Sequence, residues 1–297
     1  MIRIKNILVP VDFSEPSQIA VNYGISLAHE FEAAVLLAHI APFDQKLHEA
    51  AKVRVLELIP PELRESLYFE TIVKGGDVHD EILGIVAERD IDLVVMGTHG
   101  RGFLERMVLG SVTESMLRKL PVPVLTVSHL DPERKIGKPG VVALKHILYA
   151  SDLSDESAAG LKFSMRLARG LDARLTVAHV IDPLGAGFLG EQTAAYLPDY
   201  AGSIRAQAEE YLDRLVALES DGSVPISTVL GEGTPWVVIN EIARYCKADL
   251  IVINLQAKGK LEQALLGSTA EHVIRTAGVP VLSLPLPAKY ASRWLAA

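Results

Sequence analysis

Two doubly wound α/β units in tandem, each a parallel five-stranded sheet covered by helices on both faces, are the fold this sequence predicts. Three observations point to it. The chain repeats itself, its apolar runs are short and continuous, and amphipathic stretches of helical period separate them.

The repeat sets the frame. Asn6-Ile7-Leu8-Val9-Pro10-Val11-Asp12-Phe13-Ser14 returns 140 residues later as His146-Ile147-Leu148-Tyr149-Ala150-Ser151-Asp152-Leu153-Ser154. Val35-Leu36-Leu37-Ala38-His39-Ile40 returns at the same offset as Leu175-Thr176-Val177-Ala178-His179-Val180. Asp92-Leu93-Val94-Val95-Met96 answers to Asp249-Leu250-Ile251-Val252-Ile253, and Gly110-Ser111 to Gly267-Ser268, both at 157. The second copy therefore holds about 17 extra residues after its second strand, within 183–203. That insertion reads as a long packed loop, ahead of a lid or a contact surface.

Within each copy the elements follow in order. Residues 7–11 are a continuous apolar run, as in a strand buried on both faces. Ser14 stands at a helix N-cap, with Glu15 and Pro16 in the first turn. Ile19, Ala20, Tyr23, Leu27, Ala28 and Phe31 then mark one helical face, repeated by Ala159, Phe163, Leu167, Ala168 and Leu171. Further strands are predicted at 35–40, 67–73, 93–96 and 122–127, with helices near 78–89 and 111–120. Strands joined by helical crossovers run parallel. Five of them give the order 3-2-1-4-5, a flavodoxin- or Rossmann-like sheet, with its ligand crevice outside the carboxyl ends of strands 1 and 4. The predicted domains are 1–130 and 143–287. A linker at 131–142 joins them, and a tail at 288–297 carries Tyr290 and Trp294 at helical spacing.

Composition narrows the partners. A net charge of -8 argues against nucleic acid. No apolar stretch reaches the roughly 18 residues of a membrane span. The amino-terminal run is too short for a signal sequence. The single cysteine, Cys246, forms no internal disulfide and reads as a half-buried apolar residue. The expectation is a cytoplasmic protein with no membrane or nucleic-acid partner.

Chemistry is concentrated after the fourth strand. Gly97-Thr98-His99-Gly100 is followed, after nine residues, by Gly110-Ser111-Val112-Thr113. Glycines there let the backbone turn and approach a ligand closely. The first-turn N–H groups of Ser111, Val112 and Thr113 face an anion at the positive end of a helix dipole. On spacing alone, phosphate binding and mere strand and helix termination are equally good readings. Asp12, at the end of strand 1, favours the first, because a carboxylate there can accept from ribose hydroxyls or an adenine amine. Its alternative role is to cap the next helix, and the two are compatible. His39 and His179 share one repeat position and read as core or rim histidines rather than a metal pair.

The spaced glycines, with Pro10-Val11-Asp12 and Leu93-Val94-Val95-Met96-Gly97, resemble the ATP-binding branch of the universal stress proteins. The resemblance implies that Pro10, Val11, Asp12 and Ile40 hold adenine and ribose, with Met96 and Gly97 lining the base and sugar. It implies that Gly100, Gly110, Ser111, Val112 and Thr113 take the triphosphate of ATP, with Mg²⁺ or Mn²⁺. His99 is divided between a phosphate contact and loop packing. The second copy departs from the pattern, with Asn254 and Ala257 for Gly97 and Gly100, and Ala270 for Thr113. Asp152, Val180, Asn254, Gly267 and Ser268 remain as a second candidate site, open to a nucleoside or a different small ligand. Asn tolerates a left-handed backbone, so the turn at 254 is expected to survive.

These residues imply an ATP-binding stress or signalling protein that presents a surface to an unidentified protein partner. The alternative is slow ATP hydrolysis or nucleotidyl transfer. The motif loop supplies Arg101 and Arg106 but no lysine or second carboxylate for a phosphoryl-transfer step, so no residue is assigned as catalytic. The uncharged final runs, 120–127 and 278–284, fall at sheet edges that need covering. They are expected to pack on each other within the chain, with a homodimer as the other arrangement open to them.

Overall fold

Alternate side chains of a strand point to opposite faces of its sheet, so a strand covered on both sides must be apolar throughout. Asn6–Pro10 (β1) meets that condition: Ile7 and Val9 enter one core, Leu8 the other, and all three are fully buried. The computed structural model describes residues 3–41, 45–98, 109–128, 142–154, 156–182, 198–255 and 266–285. His99, Gly100, Arg101, Arg106, Ala257, the tail and almost all of the linker lie outside them.

In the first copy β1 leads to α1 (Glu15–Phe31), β2 (Ala34–Ala41), α2 (Gln45–Glu57), β3 (Phe69–Gly75), α3 (Val78–Glu88), β4 (Leu93–Gly97), α4 (Ser111–Lys119) and β5 (Val124–Val127). The second copy runs β6 (His146–Ser151), α5 (Glu156–Gly170), β7 (Arg174–Ile181), α6 (Pro198–Glu219), β8 (Ile226–Glu232), α7 (Pro235–Tyr245), β9 (Leu250–Asn254), α8 (Ser268–Thr276) and β10 (Val281–Leu284). The strand order is β3-β2-β1-β4-β5-β10-β9-β6-β7-β8, so each copy has the expected 3-2-1-4-5 order. Helices α1, α2, α5 and α6 cover one face, and α3, α4, α7 and α8 the other.

The two five-stranded sheets merge into one of ten strands. Every pairing within a copy is parallel, whereas β5 and β10 pair antiparallel: Thr126 with Val281, Leu125 with Leu282, Val124 with Ser283. Leu125 and Leu282 occupy the same repeat position, so the ladder has a local pseudo-twofold centre between them. One side-chain bond breaks that symmetry. Thr126 Oγ1 donates to the Val281 carbonyl at 3.1 Å, while the equivalent hydroxyl of Ser283 is buried without a partner.

Opposite ends of the sheet are braced differently. At the amino ends, Asp92 Oδ2 accepts from the backbone of Lys5 and Asn6, and Asp249 Oδ2 from Lys145 and His146. Where structure and sequence reading differ, local chemistry explains it. The fifth strand begins at Val124 rather than 122, because Pro121 and Pro123 bring no N–H to a ladder. Helix α6, at 22 residues against 13 for α2, takes up part of the second copy's extra length.

Candidate functional site

Parallel neighbours β1 and β4 are the switch point of the first copy, with β2 and β5 on their outer sides. Chain leaving their carboxyl ends must part in opposite directions, which opens a crevice. One side of it is the turn 12–14. Asp12 Oδ1 accepts from Ser14 N at 2.9 Å and Ser14 Oγ at 2.5 Å, and Ser14 caps α1. This brace holds Phe13 at φ 63, and Leu153 repeats it at φ 56 after Asp152. Asp12 is thus a turn brace that stands at the crevice mouth, and the cap itself is Ser14. Arg54 from α2 lies 4.0 Å over the Phe13 ring, and the His39 ring is 4.6 Å away.

His39 Nδ1 lies 2.7 Å from the Val11 carbonyl, and His179 Nδ1 lies 2.9 Å from that of Ser151. A carbonyl only accepts, so each imidazole donates and ties strand 2 to the end of strand 1. Both are rim histidines, and among the described residues no group of three metal-ligating side chains gathers.

The other side of the crevice is the start of α4. Gly110 N donates to Thr98 O at 2.8 Å, which sets the helix beside the end of β4. Gly110 is the N-cap at φ -62, ψ 140, and as a glycine it makes no side-chain cap bond to the first turn. Ser111 is exposed, Val112 partly so, and Thr113 is buried with its hydroxyl donating to Gly97 O at 2.8 Å. Val11 and Met96 turn their side chains into the two cores, so they offer the crevice backbone only, while Pro10 and Ile40 are half-buried at its edge. Gly97 differs from its sequence reading in one respect. Its φ is not positive; it is glycine because a Cβ would stand 2.7 Å from Pro16 Cβ and 2.9 Å from the Pro16 carbonyl carbon.

In the second copy the corresponding crevice is a cavity of about 310 Å³ that Asp152, Val180, Asn254, Gly267 and Ser268 all line. Ser151, His179, Pro235, Ile239 and Thr269 join them there. Sequence reasoning singled out His179 without placing it in this site and missed the other four, although the repeat offsets carry Val11, Val78, Ile82 and Val112 onto them. Gly267 caps α8 at φ -62, ψ 142, a near copy of Gly110. The left-handed turn expected at Asn254 is absent: its φ is not positive. Its side chain instead fills the space above Gly160, where Nδ2 donates to Tyr149 OH at 3.1 Å. Asp152 Oδ1 accepts from Ser154 Oγ at 2.6 Å and Ser157 Oγ at 2.7 Å.

A model of the Universal stress protein family matches residues 3–128 and 143–285. A universal stress protein of Methanocaldococcus jannaschii is 33% identical over 145 residues, spanning 49% of this chain and 84% of that protein. A universal stress protein E homolog of Haemophilus influenzae is 30% identical over 213 residues, 68% of this chain and 65% of the relative's length. A functionally unknown protein from Pseudomonas aeruginosa superposes with a TM-score of 0.70 over 97% of this chain and 95% of its own, at 22% identity. A universal stress protein from Archaeoglobus fulgidus does so with 0.65 over 94% and 98%, also at 22%. At that identity the two structures speak for the fold. No helix of the described residues is long and apolar enough to cross a membrane.

Proposed function

The chain belongs to the universal stress protein family, and from that premise we propose that its first domain binds an adenine nucleotide, ATP with Mg²⁺ or Mn²⁺, as a stress or signalling protein. Occupancy of the crevice then sets a conformation or a surface that a protein partner reads. The observation that carries this reading is the first turn of α4, which its N-cap Gly110 leaves without a side-chain cap bond and holds beside the end of β4, across the switch point from Asp12. Backbone N–H groups there suit phosphate, and the Asp12 carboxylate suits the nucleoside. The site residues remain Pro10, Val11, Asp12, Ile40, Met96, Gly97, His99, Gly100, Gly110, Ser111, Val112 and Thr113. Through Thr113 the fit involves backbone N–H, since its hydroxyl is engaged with Gly97.

Titration calorimetry with Mg-ATP tests it. One site per chain is expected, because the second copy lacks the paired glycines at 254 and 257. A stoichiometry of two, or no heat at any temperature, rejects the reading. Gly110→Val is expected to abolish binding and leave circular dichroism unchanged. The backbone at 110 is extended, which valine adopts readily, while its branches enter the phosphate space. Wild-type affinity in that variant would place the phosphates elsewhere.

A further inference from the structure

At the amino ends of the second sheet, opposite the switch-point crevice, a groove of about 660 Å³ opens between α7 and strands β7 and β8. The loops 171–173, 220–225, 246–249 and 277–280 at this end of the second copy lie within the described residues. The first copy supplies an internal comparison. There, the matching face is closed by ion pairs: Arg89 with Glu70 at 3.0 Å, and Lys74 with Glu81 at 3.2 Å and Glu88 at 3.4 Å. At the 157-residue offset, all five of those charged residues become uncharged: Cys246, Ser227, Gly231, Val238 and Tyr245.

In place of the ion pairs there is a directed chain of hydrogen bonds. His146 Nδ1 lies 2.7 Å from the Cys246 carbonyl and must donate to it. In neutral imidazole Nε2 then accepts, so Thr176 Oγ1 donates to it at 2.8 Å. With its proton spent, Thr176 accepts from Ser227 Oγ at 3.0 Å. His146 and Thr176 are buried, Ser227 is exposed, and the chain therefore presents to the groove a hydroxyl oxygen whose proton points inward. What meets it must be a donor.

The remaining lining completes a recognition pattern. Val229, Val238 and Ile242 form an apolar floor, and the Tyr245 ring, 92% exposed, stands as a wall. Arg174, whose Nη2 donates to the Cys246 carbonyl at 3.3 Å, and Lys247 supply cations at the rim, and the exposed Glu241 adds a carboxylate to the lining. The carboxyl-terminal end of α7 also lies here, and its dipole opposes any anion, a doubly charged phosphate more than a single carboxylate, against which the two cations are set. We propose that this groove binds a small organic monocarboxylate with an apolar or aromatic body and a hydroxyl or amine donor. The carboxylate pairs with Arg174 and Lys247, the body lies on Val229 and Ile242 against Tyr245, and the donor meets Ser227.

Saturation-transfer NMR on the full chain with three matched probes tests this. Phenyllactate carries carboxylate, hydroxyl and ring; phenylpropionate lacks the hydroxyl; phenylpropanediol lacks the carboxylate. Phenyllactate is expected to bind best, by about tenfold over either analogue, the worth of one charge-assisted hydrogen bond. Arg174→Ala and Tyr245→Ala alter side chains at the surface and are expected to weaken it at least about tenfold with unchanged circular dichroism. Mg-ATP should leave the signal unaltered, so this result stands or falls apart from nucleotide binding. Absence of transfer, equal transfer from all three probes, indifference to Arg174→Ala, or displacement by Mg-ATP would each overturn the proposal.

Discussion

Gly97 and Asn254 occupy one repeat position and answer to different neighbours. Gly97 lies against Pro16 of α1, whereas Asn254 lies above Gly160, with Glu156 at the position of Pro16. Gly97→Ala is therefore expected to cost about 1–3 kcal/mol, the usual cost of overpacking against backbone, measured as a shift in urea midpoint. A neutral result would mean that α1 moves freely. The reason for this glycine was not legible in the sequence, because Pro16 meets it only through the topology. Asp12 was legible as a strand-end carboxylate, but its bond to Ser14 Oγ was not. His146 gives a second test. Burial, with the Arg174 guanidinium nearby, holds its imidazole below the ordinary value of 6.5. The unfolded chain then takes up the proton first, so this residue's contribution is full above about pH 6.5 and declines as pH falls through the interval below it. His146→Gln is expected to cost about 1–2 kcal/mol at pH 7.5, from the broken buried bonds, and less at pH 5.5. A difference that does not change between the two would contradict the shift.

Among elements, the ladder between β5 and β10 makes a paired prediction. Thr126→Val removes the donor to Val281 and is expected to cost about 1 kcal/mol. Ser283→Ala deletes a buried hydroxyl without a partner and is expected to be neutral or stabilising by up to about 1 kcal/mol. Equal losses in thermal or urea unfolding would show that the two sides are alike after all. The strands were the most legible elements, since a run such as Ile7 to Val9 serves two cores and leaves no polar gap. Helix α2 was less legible, with Gln45, Lys46, Glu49, Lys52 and Arg54 obscuring its single buried face. The crevice of the second copy was legible through Asp152 and Gly267. Its further lining residues come from β6, β7, α7 and α8, which only the folded sheet brings together.

At the scale of the whole molecule, the fold class and the strand order followed from the repeat and from the parallel-crossover rule. The contact between the two final strands followed from two uncharged edges that each required a partner, while its antiparallel sense came only from the structure. Residues 1–130 expressed alone should expose β5 and associate as concentration rises, which light scattering would detect. A monomer at high concentration would show that the edge needs no cover. The full chain keeps that contact within one molecule, so its unfolding midpoint should not depend on dilution. A symmetric dimer inherits every substitution twice, and a change useful at one site is forced upon the other. Here each codon is read once. Thr126 donates where Ser283 does not, and Asn254 lies over Gly160 while Gly97 lies against Pro16. Covalent union of the copies leaves each surface free to differ from its counterpart, and in this chain they do.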